Sequence, residues 1–367
     1  RTFAAFAKLP VFDPSSPEEA YEMIREAFEY SEKYNTPVLF RPTTRVCHGC
    51  ANVEVADTWE VKAPEGFVKD TQRWVIFPRT SYLNHLKIEE RNVELSKVFS
   101  ESKLNYIEGN KAAWEEAFDN RDASWGADII ERIQKEDYPF FENEMVDILL
   151  SIDTEGKTVG QFCCNNGREL LSLVKCGKAA KGTGFDIAEN QIAFANEKAK
   201  ELNLPCTFEA INVYDIDDKF KEQFDIVIIT IGALCWFDNL DRFFEVVAKC
   251  MKPGALILIN EQHPCTNMLA GEGDEGFDPE HRKDCLFSYF EHEWTGNGGM
   301  YYMTHKSYHS KTFTDYTHPM SEIITGMCNN GIVVTGLQEF DHDLSGGFPE
   351  IDKSGFPLSM ILQGKKL

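Results

Sequence analysis

The chain has 367 residues, of which 43% are hydrophobic and 26% charged, and this length exceeds that of most single domains, so two units are expected. The formal net charge of -23 at pH 7 would repel a phosphate backbone. This charge disfavours nucleic acid and anionic membrane surfaces as partners, and it leaves a small molecule or another protein.

Eleven cysteines are scattered along the chain, several of them in apolar, strand-like runs such as Phe162-Cys163-Cys164. Buried free thiols in a reducing compartment explain this distribution better than disulfides. The longest apolar run, residues 226–237, is shorter than the roughly 20 residues that a membrane-spanning helix needs. We therefore expect a cytoplasmic protein.

The first predicted element is a helix that begins after Ser16. Ser16 suits the N-cap, Pro17 the first helical position, and Glu19 completes a capping box. Apolar residues recur at helical spacing over residues 23–34, which gives this helix an apolar face. A buried strand is predicted next, at residues 37–41.

Three stretches of the first 103 residues carry a family resemblance: FAKLPVFDPSSPEEAYEMIREAFEYSEKYNTPVLFRPTTR, FVKDTQRWVIFP and IEERNVELSKV. They resemble the alpha subunit of indolepyruvate:ferredoxin oxidoreductase, a thiamine-diphosphate enzyme. The resemblance covers only the tail of the family's first domain, and the diphosphate-binding and iron–sulfur regions have no counterpart. We therefore expect residues 1–103 to be a truncated segment without an active site of its own.

Within this segment, Cys47 and Cys50 form a Cys-x-x-Cys pair. Such a pair binds zinc or cycles as a dithiol in other proteins. A structural zinc site needs a second ligand pair, and none follows at a suitable spacing. Loop cysteines without a special role are the favoured interpretation, and no metal site is predicted.

From residue 157 onward the sequence alternates predicted strands and helices. The strands are predicted at residues 159–164, 182–186, 206–210, 224–231 and 255–260, and the helices at 167–174, 188–202 and 240–251. This alternation indicates right-handed crossovers and a mostly parallel sheet with both faces covered. A later helix ending at Asn329 and strands at residues 332–340 and 358–364 predict a terminal hairpin with one antiparallel member.

In this arrangement residues 104–367 resemble class I S-adenosylmethionine-dependent methyltransferases. The resemblance implies a Rossmann-like, doubly wound, seven-stranded α/β sheet and S-adenosyl-L-methionine as cofactor. The family's first motif, acid-x-Gly-x-Gly-x-Gly, falls on residues 161–167, where Gln161 replaces the acid and Cys163 and Asn165 replace two glycines. Gly167 is retained. Because Asn tolerates left-handed backbone geometry and Cys is small, the turn remains feasible.

The resemblance implies further cofactor contacts after the next strands. Asp186 closes the second strand, where the family places a carboxylate that accepts the ribose hydroxyls. An N-cap for the following helix is the alternative role, and both roles are compatible. The other implied cofactor contacts, with adenine and with the sulfonium, are Ile187, Asn212, Val213, Thr230, Ile231 and Gly232.

Catalytic and acceptor-binding candidates lie in the later part of the chain. Glu261 and His263 follow the fifth strand, where a general base would be useful, and a satisfied loop network is an equally weighted alternative. Residues 265–314 form a long insertion that we expect to act as a substrate lid, and within it Tyr301 and Tyr302 are expected to alternate as in a strand, so that one of them faces the acceptor. The predicted substrate-binding residues are Trp125, Trp236, Tyr301 and His318.

The leading hypothesis is a methyltransferase that acts on a small-molecule acceptor by in-line methyl transfer, through positioning and exclusion of water. A second hypothesis, based on the incomplete glycine motif, is a non-catalytic nucleoside-binding protein with this fold. A remnant of a 2-oxoacid:ferredoxin oxidoreductase is a third. A nicotinamide-dependent dehydrogenase fits poorly, because a single glycine is left for the approach to a pyrophosphate.

Overall fold

Two compact units, Arg1–Asn105 and Tyr106–Leu367, make up the chain in the computed structural model. The structure describes residues 8–14, 16–51, 53, 69, 77–100, 106–271, 276–290 and 293–367. Over these ranges, no helix combines the length and the apolar character that crossing a membrane requires.

In its described residues, the first unit contains a short parallel strand pair and three helices. Strand β1 (Val11–Phe12) pairs with β2 (Leu39–Phe40), and the helices are α1 (Pro17–Tyr34), α2 (Thr44–His48) and α3 (Pro78–Ser100). The side chain of Ser16 accepts a hydrogen bond from the backbone N–H of Glu19 at 3.2 Å, which confirms the predicted start of α1. The sequence FVKDTQRWVIF, residues 67–77, lies almost entirely outside the described residues.

The second unit is built around one large sheet and one small hairpin. Its strands are β3 (Thr158–Phe162), β4 (Lys181–Asp186), β5 (Cys206–Ala210), β6 (Phe224–Ile229), β7 (Met251–Gln262), β8 (Glu293–Gly296), β9 (Phe313–Tyr316), β10 (Ile332–Phe340) and β11 (Ser359–Lys366). Its helices are α4 (Tyr106–Asp119), α5 (Ile129–Lys135), α6 (Asn143–Ser151), α7 (Arg168–Cys176), α8 (Glu189–Glu201), α9 (Leu240–Cys250), α10 (Tyr301–Thr304) and α11 (Met320–Asn329).

The large sheet has seven strands in the order β10-β11-β7-β6-β3-β4-β5. Strands β5, β4, β3, β6 and β7 are parallel, β11 is antiparallel to β7, and β10 is antiparallel to β11. This confirms the predicted doubly wound sheet with a terminal antiparallel hairpin. The chain moves outward from β3 in one direction and from β6 in the other, so a crevice opens where these two strands end.

Both faces of the sheet are buried because apolar side chains alternate along its central strands. On β6, Val227 and Ile229 join the core cluster that contains Phe162 and Phe243. Ile226 and Ile228 of the same strand point to the opposite face and pack in a second cluster. Each fully buried side chain of this size contributes about 1.5–3 kcal/mol, so the two layers hold the strand ends in fixed positions.

Two sequence predictions about local structure were wrong. The Lys252-Pro253-Gly254 segment was expected to separate α9 from the next strand, but β7 already begins at Met251. The Nζ of Lys252 lies 2.8 Å from Asp225 of β6, which ties this segment to the neighbouring strand. Tyr301 and Tyr302 were expected to alternate as in a strand, whereas they begin the short helix α10, which ends at His305 in a left-handed conformation.

The long insertion contains the antiparallel β8–β9 hairpin and is attached to α4 by hydrogen bonds to Asn110 and Glu116. The side chain of Asn110 donates to the carbonyl of Thr314 and accepts from its N–H, each at 2.7 Å. These two bonds satisfy the edge of β9 that does not pair with β8. The insertion and α4 therefore form one cover beside the strand ends.

Candidate active site

A cavity of about 670 Å³ lies at the carboxyl ends of β3, β4, β6 and β7. Its size is typical of small-molecule sites. Of the residues predicted from the sequence, the following line it: Trp125, Cys163, Asn165, Asp186, Ile187, Asn212, Val213, Thr230, Ile231, Gly232 and Trp236. The other predicted residues, Gln161, Gly167, Glu261, His263, Tyr301 and His318, lie off its wall.

The turn after β3 has left-handed backbone at each position where the family motif places a glycine. The φ angles are 56° at Cys163, 49° at Asn165 and 77° at Gly167. At Gly167 space is limiting as well, because a Cβ would lie 2.6 Å from the ring of Phe208. The turn therefore keeps the glycine-motif geometry although two of its residues carry side chains.

Asp186 lies on the cavity wall next to this turn. Its Oδ2 accepts the backbone N–H of Asn165 at 2.9 Å, and its Oδ1 accepts the N–H of Ala188 at 3.1 Å. Burial raises the pKa of Asp186, and these N–H donors offset part of that rise. The carboxylate thus supports both the turn and the start of α8 while it faces the cavity.

Gln161 was expected to contact the cofactor directly, but the structure places it beneath the cavity floor. The residue is fully buried, and its Nε2 donates to Oγ1 of Thr230 at 3.0 Å. Thr230 lines the cavity at the end of β6. Gln161 therefore affects the site indirectly, because it orients the hydroxyl of Thr230.

Glu261 is a structural anchor in this fold and does not line the cavity. Its Oε2 accepts the N–H of Gly232 at 2.7 Å, and its Oε1 accepts the N–H groups of Ala233 and Leu234 at 2.7 and 2.9 Å. Burial raises the pKa of this carboxyl group, and the backbone donors offset part of the rise. The alternative interpretation, a satisfied loop network, describes Glu261 better than a general base.

His263 is likewise engaged in local contacts. Its Nδ1 accepts the N–H of Cys265 at 3.1 Å, so that Nε2 carries the proton and lies 2.8 Å from a carboxylate oxygen of Glu339. The side chain caps the short 3₁₀ turn Pro264–Met268. It is buried and absent from the cavity wall.

Two predicted substrate contacts are displaced from the cavity. Tyr301 is 65% exposed and points away, while its neighbour Tyr302 lines the cavity and accepts a hydrogen bond from Nδ2 of Asn165 at 3.3 Å. His318 is buried, with Nε2 at 2.8 Å from the carbonyl of Phe237 and Nδ1 at 2.9 Å from Glu322. It therefore supports the segment behind the wall.

Sequence reasoning missed three buried amides that line the cavity: Asn166, Gln191 and Asn260. Each is at most 2% exposed, and each has a side-chain nitrogen or oxygen with no hydrogen-bond partner among the described residues. For Asn260, the sequence signal that could have identified it as a cavity-lining residue is the alternation of side chains between the two faces of a strand. If Glu261 faces away from the cavity, Asn260 and Gln262 face toward it.

No group of three or more potential metal ligands is present in the part of the chain that the structure describes. Cys47 and Cys50 are both exposed free thiols. They belong to the first unit, whereas the cavity is lined by residues of the second.

Comparison with known proteins shows similarity to two kinds of protein. A family model described as a methyltransferase domain matches residues 159–254. The indolepyruvate oxidoreductase subunit IorA of Methanothermobacter thermautotrophicus is 40% identical over 107 residues, which are 29% of this chain and 17% of that protein. IorA of Pyrococcus horikoshii is 35% identical over 279 residues, 70% of this chain and 42% of that protein.

Among solved structures, an S-adenosylmethionine-dependent methyltransferase from Mesorhizobium loti has a TM-score of 0.45 at 16% identity, covering 60% of this chain and 96% of its own. A geranyl diphosphate C-methyltransferase from Streptomyces coelicolor also has a TM-score of 0.45, at 12% identity. The match covers 72% of this chain and 98% of that protein. This chain spans less than half the length of either IorA relative. The second unit therefore contains a stretch, residues 159–254, that matches a methyltransferase domain, and the chain is also similar to part of IorA.

Proposed function

We propose that the second unit is an S-adenosylmethionine-dependent methyltransferase that acts on a small-molecule acceptor. The observation that carries this proposal is the position of Asp186. Its carboxylate lies on the wall of the cavity beside a turn with left-handed backbone, within the residues that match a methyltransferase domain. A carboxylate at the end of the second parallel strand suits the two hydroxyls of a ribose.

The side chains around Asp186 fit a polar ligand of nucleoside size. Asn166 and Gln191 line the same cavity, and each has a buried amide atom without a hydrogen-bond partner among the described residues, where such atoms are normally paired in folded proteins. Ile187 and Val213 supply apolar surface for a base on either side. We assign the ribose to Asp186 and the adenine to the space between Ile187 and Val213.

When bound, S-adenosylmethionine supplies a methyl group on a positively charged sulfur, and transfer leaves S-adenosylhomocysteine. The chain's part in this chemistry is to position the acceptor and to exclude water. Trp114 and Trp236 line the cavity and pack edge to face, with ring centroids 5.3 Å apart. Aromatic faces stabilise a cationic centre. We propose in-line transfer beside Trp236 and Thr230.

A calorimetric titration of the full chain with S-adenosylmethionine and S-adenosylhomocysteine tests this proposal. Asp186→Ala removes hydrogen bonds between a charged group and ligand hydroxyls, each worth about 1.5–3 kcal/mol, so we expect a loss of affinity of about 30-fold or more. Asp218→Ala is the matched control, because Asp218 is an exposed carboxylate paired with Lys249. Absence of binding to the unaltered chain, or equal affinity in the Asp186 variant, would contradict the proposal.

We also propose that the first unit has no active site of its own. Its similarity to IorA covers only 17% of the Methanothermobacter subunit, and its described strands are two residues long. On this view the full chain does not bind thiamine diphosphate. Calorimetric titration with thiamine diphosphate and Mg²⁺ checks this, and saturable binding would show that the segment retains more than we assign to it.

A further inference from the structure

Asn260 is a buried amide for which the fold itself gives no use. It lies at the carboxyl end of β7, is 2% exposed, and lines the cavity. Its main chain is paired with Ile361 of β11, but its side-chain Oδ1 has no partner among the described residues. An unpaired buried polar atom destabilises a folded protein, and an apolar side chain like that of Ile259 would avoid this loss.

The position of Asn260 separates it from the cofactor assigned above. Asp186 ends β4, and three strand spacings, β4 to β3 to β6 to β7, separate it from Asn260. At about 4.8 Å per spacing this is about 14 Å, which is beyond the reach of the ribose. Asn260 instead follows Ile259, which is paired with Ile229 just before Thr230. It therefore faces the side of the cavity where the acceptor must lie.

The neighbouring wall is aromatic. Trp236 and Phe237 follow the loop that Glu261 anchors, and both line the cavity together with Trp114. A flat apolar ring fits such a wall, and the amide of Asn260 offers it one hydrogen-bond acceptor when the side chain rotates to turn the buried Oδ1 toward the cavity that the residue lines. The site thus combines an aromatic surface for stacking with one hydrogen-bond acceptor.

We propose that Asn260 orients the methyl acceptor by accepting a hydrogen bond from it, and that the acceptor is an aromatic compound with an O–H or N–H group. This inference rests on the proposed methyltransferase function and names its substrate class. Asn260 acts as a positioning residue, because its amide group neither gives nor takes a proton. Oxygen or nitrogen is then the atom that receives the methyl group: the bond from the methyl carbon to sulfur breaks, S-adenosylhomocysteine is left, and the proton of the acceptor is released to solvent.

The test uses matched probes that differ only in the donor: phenol against anisole, and aniline against N,N-dimethylaniline. Binding to the full chain saturated with S-adenosylhomocysteine is measured by ligand-observed NMR. We expect phenol and aniline to bind at least tenfold more tightly than their methylated partners. Asn260→Leu should abolish this preference and leave the affinity for S-adenosylhomocysteine within twofold of the unaltered value.

Ser172→Ala is the control, since Ser172 is fully buried, its hydroxyl has no hydrogen-bond partner among the described residues, and it does not line the cavity. This variant should keep the preference for the donor probes. If Asn260→Leu fails to fold, Asn260→Ala provides the same readout without added bulk.

Three results would overturn the inference: the donor preference survives loss of the amide, neither donor probe binds the loaded protein, or S-adenosylhomocysteine affinity falls tenfold in the Asn260 variants. The last result would assign Asn260 to the cofactor. Failure of the unaltered chain to bind S-adenosylhomocysteine at all would instead refute the proposed function itself.

Discussion

Replacement of Glu261 by glutamine distinguishes an anchoring role from a catalytic one. The carboxylate accepts three consecutive backbone N–H groups, from Gly232, Ala233 and Leu234, at 2.7–2.9 Å. Glutamine has nearly the same shape but only one oxygen. Its amide N–H₂ would face at least one of these donors and leave that N–H unpaired in a buried site.

The expected loss of stability follows from these bonds. One unpaired buried N–H destabilises by about 1–3 kcal/mol, and the two remaining bonds weaken because the acceptor is no longer charged. Removal of a buried charge offsets part of this, since burial has raised the pKa of Glu261. We therefore expect Glu261→Gln to lower the free energy of unfolding by about 2 kcal/mol.

Urea unfolding of the full chain, followed by tryptophan fluorescence, measures this change, because Trp236 lies directly after the anchored loop. With a dependence on urea of about 1–3 kcal/mol per molar, the midpoint should fall by about 1 M. Glu209→Gln is the control: Glu209 forms a partly exposed ion pair with Lys219, and its loss should shift the midpoint little. An unchanged midpoint in Glu261→Gln would refute the anchoring role and return Glu261 to the list of candidate bases.

Two further substitutions test the turn and the cover. Gly167→Ala should lower the free energy of unfolding, measured in urea, by about 2–5 kcal/mol, because alanine is strained in the left-handed conformation and its Cβ collides with Phe208. Gly156→Ala is the control: Gly156 has a φ of 72° but open space around it, so this variant should lose only the stability that backbone strain removes. Asp315 has a pKa raised from 3.8 to about 6 by burial, so its ionisation destabilises the fold progressively as pH rises from 4 to 6. Asp315→Asn should therefore stabilise by about 3 kcal/mol at pH 7 and leave stability at pH 4 nearly unchanged, and equal effects at both pH values would contradict this reasoning.

The alternation of strands and helices in the second unit was readable from the sequence because each element has its own hydrophobic period. The predicted strands at residues 206–210 and 332–340 have the bounds that the structure shows. Helix and strand boundaries that depend on tertiary contacts were harder to predict from the sequence. The start of β7 depends on the bond between Lys252 and Asp225, which are 27 residues apart in the chain.

The candidate site was only partly predictable, and the reason is the period of a strand. A shift of one residue moves a side chain to the opposite face of the sheet. Glu261 and Asn260 are therefore equally plausible as cavity-lining residues until the orientation of β7 is known. The same limit applies to Tyr301 and Tyr302, where the local helix depends on how the insertion packs. Asp186 was easier to locate, because the last residue of a parallel strand lies at the crevice on either face.

The incomplete glycine motif has a physical explanation that changes how Asp186 should be regarded. Left-handed backbone at a residue other than glycine is unfavourable by about 1–2 kcal/mol, and Cys163 and Asn165 both adopt it. The bond from the Asn165 N–H to Asp186 and the bond from the Asn166 N–H to Oδ1 of Asn165, at 2.9 and 2.7 Å, hold the turn in this conformation. In this chain the carboxylate therefore replaces part of what glycine supplies elsewhere. Loss of Asp186 would relax the turn as well as remove the proposed ribose contact, so cofactor affinity should be more sensitive to this residue than a ribose contact alone would make it.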